Sequence, residues 1–125
     1  VPIKALPFAI ANSQWVSLGQ TIALTGDFTV EAWVNRTLVN GGGDGFKDVV
    51  TGHSGTSGPS INFYADQARW YDGSTDQVIA SATTGSGWHH HAWVRSGTSV
   101  LYYIDGVLDT SSTGTNSSTG TVNFT

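Results

Sequence analysis

Residues 87–110 read GWHHHAWVRSGTSVLYYIDGVLDT, a run that divides into three short strands and two tight turns, Ser96-Gly97 and Asp105-Gly106. Asp-Gly between β-formers signals a hairpin, because a type I′ turn needs positive φ at both central residues. A two-residue loop at that point pairs Ile104 with Val107 and Tyr103 with Leu108. The turn therefore sets the register of the strands beside it.

Working outward, the same alternation of strand and turn recurs. Glycine-rich connections fall at 41–43, 52–58, 85–87 and 114–120. The strand-length segments expected between them are Ala5–Ile10, Trp15–Leu18, Phe28–Asn35, Asp48–Thr51, Ile61–Ala65, Ala68–Tyr71, Gln77–Ala82, Trp88–Arg95, Val100–Ile104, Val107–Thr110 and Thr121–Phe124. No segment holds a helical period. Many short strands at this spacing predict one all-β domain over residues 1–125, an antiparallel β-sandwich.

Composition narrows the function classes. Charged residues make up 11% of the 125-residue chain, against about 25% in ordinary globular domains. Gly, Ser, Thr and Asn take their place, giving the neutral, hydroxyl-rich exterior common on extracellular and virion-surface β proteins. The net charge is −4 with five Lys and Arg, which argues against a site that tracks nucleic-acid phosphates. No apolar run approaches the ~20 residues that span a bilayer, so membrane insertion is not expected. Cysteine is absent, which removes disulfides and thiolate metal sites. The chain opens on Val1 and contains no Met, so the native start is expected to lie upstream or to have been removed.

Two further segments share a family pattern with residues 87–110. LTGDFTVEAWVN, residues 24–35, places Phe28, Val30, Ala32 and Val34 on one face and Thr29, Glu31 and Trp33 on the other. ALPFAIANSQWVSL, residues 5–18, reads as a first strand and hairpin. Together with the Trp-His-His start and the Asp-Gly hairpin, these segments resemble the laminin-G-like, concanavalin-A-like jelly-roll domains. The resemblance runs from about Ala5 to Phe124. It implies a non-catalytic recognition or adhesion module, with a glycan as the expected ligand, at an extracellular or virion surface. The runner-up is a structural surface protein, such as a capsid decoration or fibre component, that uses the fold for subunit contacts. Relatives usually continue past a strand like Thr121–Phe124, so a sheet lacking its closing C-terminal strand is expected. Downstream residues would complete it, or other subunits in a homo-oligomer or larger assembly.

Catalysis can be weighed by counting carboxylates. Retaining glycosidases of the same broad fold need two acids about 5–5.5 Å apart. This chain has one glutamate, Glu31. It also has no Gly-x-Ser-x-Gly elbow and no thiol, so no enzyme activity is expected. Consecutive residues on a strand point to opposite faces, so His89-His90-His91 cannot converge on one ion. His89 and His91 could share one with a third ligand from elsewhere. Otherwise His90 is expected to pack with Trp88, Ala92 and Val94, leaving the other two exposed. Calcium is a candidate cofactor through Asp44 and Asp48 or Asp72 and Asp76, and relatives often bind it at a sheet rim. The acidic residues that the family often carries near Ala9 and Asn12-Ser13 are missing here, which counts against calcium at that place.

Aromatics are the best recognition candidates among the five Trp. Trp70, Tyr71, Asp72 and Asp76 combine a flat ring with hydrogen-bonding groups, which suits a sugar. Trp93, His91 and Arg95 form the alternative patch. Trp15, Trp88 and Trp33 are expected in the core. The expected partner is a glycan or a protein surface.

Overall fold

The structure is a computed structural model that describes residues 19–36, 46–52, 58–64, 67–80, 87–110 and 122–124. Ten strands follow in order: β1 (Ile22–Leu24), β2 (Phe28–Arg36), β3 (Phe46–Thr51), β4 (Ser60–Tyr64), β5 (Gln67–Tyr71), β6 (Asp76–Ala80), β7 (Gly87–Ser96), β8 (Ser99–Ile104), β9 (Val107–Leu108) and β10 (Val122–Phe124). They form two four-stranded antiparallel sheets, β2-β7-β8-β9 and β3-β4-β5-β6, and a small β1-β10 pair. This is the antiparallel sandwich that the alternation predicts, consistent with the jelly roll that the family resemblance implies.

The two larger sheets meet face to face. Period-two alternation sends Phe28, Val30 and Val34 of β2 inward together with Trp93 of β7 and Val100 and Tyr102 of β8. Ile61, Phe63, Ala68, Trp70, Val78 and Ala80 come from the other sheet. Rings bridge the layers: Phe28 lies 5.2 Å from Trp70 and Phe63 lies 5.7 Å from Trp93, centroid to centroid. β1 and β10 add Leu24, Val122 and Phe124 to the same core.

The hairpin reading holds in detail. Ile104 pairs with Val107 and Tyr103 with Leu108, and both Asp105 (φ 49°) and Gly106 (φ 79°) take positive φ. The other turn sits one residue later than expected. Ser96 pairs with Ser99, so Gly97-Thr98 form its tip, and only Gly97 has positive φ. A β-branched Thr resists that region, whereas glycine enters it freely. Asp27, in the turn before β2, accepts a 2.6 Å hydrogen bond from Gly97 N.

Strand β1 is absent from the sequence reading. Among the described residues it is the partner of β10, with Ile22 opposite Phe124 and Leu24 opposite Val122. The expected strands Ala5–Ile10 and Trp15–Leu18 lie outside the described residues.

Candidate functional site

Strands β2 and β7 pair along nine residues, so the register fixes what each face carries. Thr29, Glu31, Trp33 and Asn35 point outward from β2, opposite Val94, Ala92, His90 and Trp88 of β7. Trp33 is 65% exposed and Trp88 is 51% exposed. Both were expected in the core, yet they stand on the solvent face as diagonal neighbours. Such positions lie about 7–8 Å apart.

His90 sits between them. Its ring is 5.4 Å from that of Trp33, tilted by 51°, and its Nε2 lies 3.3 Å from Glu31 Oε2. The backbone beneath is fixed, because His90 N–H donates to Asp105 Oδ1 at 2.9 Å and His90 C=O accepts from Asp105 N at 2.9 Å. Packing of His90 beside Trp88 is thus outward rather than internal. Further across the sheet, Ala92 stands opposite Tyr103 and Tyr103 opposite Leu108. The outward positions of β2, β7 and β8 hold no Lys or Arg.

The inner face of β7 carries His89, His91, Trp93 and Arg95. Trp93 is fully buried, and His91 and Arg95 nearly so. His91 Nδ1 shares a 2.6 Å hydrogen bond with the Tyr102 hydroxyl, and its ring lies nearly parallel to those of Trp93 and Tyr102, 6.1 Å from each centroid to centroid. The Arg95 guanidinium lies 5.8 Å from the centroid of Phe28. This set, named from sequence as a patch, is core: aromatic rings enclose its polar groups. His91 is correspondingly buried, where an exposed strand position was expected.

Trp70 is also fully buried. It packs against Phe28, across the interior from the sheet that carries Trp93. Tyr71, Asp72 and Asp76 are partly exposed at the end of the same hairpin. Asp72 is committed to its own loop. Its Oδ1 accepts from Ser74 N and Thr75 N at 2.8 and 2.9 Å, and its Oδ2 from Gln77 Nε2 at 2.7 Å. Asp76 pairs with Arg69. Neither indole in these two sets offers an open face for a ring to stack on.

Metal chemistry has little to work with in this region. His89 and His91 do share a face, with ring centroids 6.5 Å apart. Among the described residues, no three His, Asp or Glu side chains gather as metal ligands. Asp44 lies outside the described residues, and the side chain of Asp48 does too. His89 Nδ1 instead donates to Asp105 Oδ2 at 2.7 Å. That hydrogen bond, helped by the one from His90 N–H, holds the Asp105 carboxyl below its ordinary pKa.

The signal for the outer platform was present in β2. Trp33 shares its parity with Thr29 and Glu31, and a face carrying those residues is a solvent face. In β7 each face mixes polar and aromatic residues, so alternation could not say which one is buried.

Comparison with known proteins bears on residues 11–125. A laminin G-type family model, described as the concanavalin A-like lectin/glucanases superfamily, matches residues 11–125. No curated protein and no solved structure gives a significant match.

Proposed function

Because the chain belongs to the concanavalin A-like lectin/glucanases superfamily, whose laminin G-like members are typically non-enzymatic binding domains, we propose that it is a glycan-recognition module. The outer β2/β7 face is its site. The observation that carries this reading is the exposure of Trp33 and Trp88 side by side, with His90 held between them. An indole left in water on a rigid sheet costs hydrophobic free energy. A sugar recovers that energy by laying its C–H face on the ring, while its hydroxyls bond to neighbours such as Glu31 and Asn35.

Catalysis is not part of the proposal, since Glu31 is the chain's only glutamate and the side chain it pairs with is His90. Laminin G-like domains are commonly extracellular, and we place this one at a cell, matrix or virion surface. No helix among the described residues is long and apolar enough to cross a membrane.

A glycan array probed with the parent chain and with a Trp33→Ala/Trp88→Ala double variant tests the proposal. Signals that disappear in a variant with an unchanged melt support it, and a blank array for the parent refutes it. A second reading, contact between subunits of a surface assembly, is favoured by the β9 edge. There Val107 is 67% exposed, beside an exposed Leu108. A blank array together with concentration-dependent sedimentation would decide for that reading.

A further inference from the structure

We infer that the β2/β7 platform takes a non-acidic glycan chain of at least two sugar residues and rejects sulfated or uronate chains. The inference rests on the glycan reading above and adds the ligand's charge and length. Charge comes first. Every outward position of β2, β7 and β8 lacks Lys and Arg, while Glu31 stands exposed between Thr29 and Trp33. Among the described side chains the cations are Arg69, paired with Asp76, and Arg95, buried on the inner face. A sulfated chain needs cations aimed at it, because its affinity comes from charge-assisted contacts. At this face it would meet a carboxylate on a chain of net charge −4, and like charges repel.

Length follows from the register. Trp33 lies opposite His90, and Trp88 lies two residues before His90 on β7. Diagonal neighbours of this kind stand about 7–8 Å apart, too far for one pyranose ring to cover both indoles. Two successive residues of a chain can each take one ring, with His90 beneath the linkage. Engaging the second ring then needs no further loss of translational freedom, so affinity should climb steeply from monosaccharide to oligosaccharide.

Affinity electrophoresis and calorimetry on the full chain provide the test. The neutral set is cello-, manno-, xylo- and N-acetylchito-oligosaccharides with their monosaccharides. The acidic set is heparin, hyaluronate and alginate. The expected result is that at least one neutral chain binds and its monosaccharide binds at least about tenfold more weakly. Trp33→Ala and Trp88→Ala should each weaken the chain by about tenfold or more, with Trp33→Phe keeping part of the loss back. An acidic chain that binds and depends on Trp33 and Trp88 overturns the inference while leaving the glycan reading standing. Equal affinity for monosaccharide and chain overturns the length claim. No binding of either set removes the glycan reading, and this inference with it. The comparison of neutral with acidic sets uses the parent protein, so it decides even if an alanine variant fails to fold.

Discussion

Asp105 ties a turn to a strand with both carboxylate oxygens: Oδ2 accepts from the His89 ring and Oδ1 from His90 N–H. Its pKa is lowered, first by the His89 hydrogen bond and then by the backbone one. A depressed carboxyl pKa contributes stability that is fully present above the unfolded value and is lost as pH falls through the folded one. Asp105→Asn keeps a residue that tolerates positive φ but removes the charge. Its melting deficit relative to the parent should hold steady above pH of about 4 and shrink below it; a deficit that does not change with pH would contradict this. The neighbouring Gly106, at φ 79°, should not accept a β-branched side chain. Gly106→Val is expected to cost about 1–3 kcal/mol in denaturant unfolding. The turn was legible in sequence because Asp-Gly is a local signal. The bonds to His89 and His90 were not, because they join residues 16 and 15 positions apart.

Strands β2 and β7 show how alternation succeeds and where it stops. From Phe28 to Val34 one face of β2 is uniformly apolar, so parity alone separates core from surface there. In β7 Trp93 and Trp88 have opposite fates, and only the pairing with β2 and β8 reveals which is buried. The contrast is measurable. Trp93→Ala should cost about 3–5 kcal/mol, as large buried aromatics do, whereas Trp33→Ala should stay within about 0.5 kcal/mol of the parent. Comparable losses at both positions would remove the assignment of faces. Strand β1 escaped notice because Ile22–Leu24 is three residues long and gains its identity from distant β10. The end of β3 lies close against that same β10. Gly52 N donates to Pro59 O at 2.8 Å, and a Cβ at Gly52 would overlap the carbonyl oxygen of Asn123. Gly52→Ala should therefore destabilise by about 1–3 kcal/mol, as overpacking does, and a neutral result would contradict the close approach.

Across the whole molecule, the all-β class, most strand positions and the register of the Asp105-Gly106 hairpin follow from local patterning, which is why the sandwich was legible in the sequence. The site could not, because it depends on which side of each sheet meets the other. Trp70 and Trp93 looked like recognition residues beside polar neighbours, yet their sheets close on one another and bury both rings. Closing that interior leaves Trp33 and Trp88 as the exposed indoles among the described residues. The most direct test follows the indole N–H resonances by NMR while the neutral oligosaccharides are titrated in. The signals of Trp33 and Trp88 should move with ligand while those of Trp70 and Trp93 stay in place. Movement of Trp70 and Trp93, with Trp33 and Trp88 unchanged, would contradict the outer platform as the binding face.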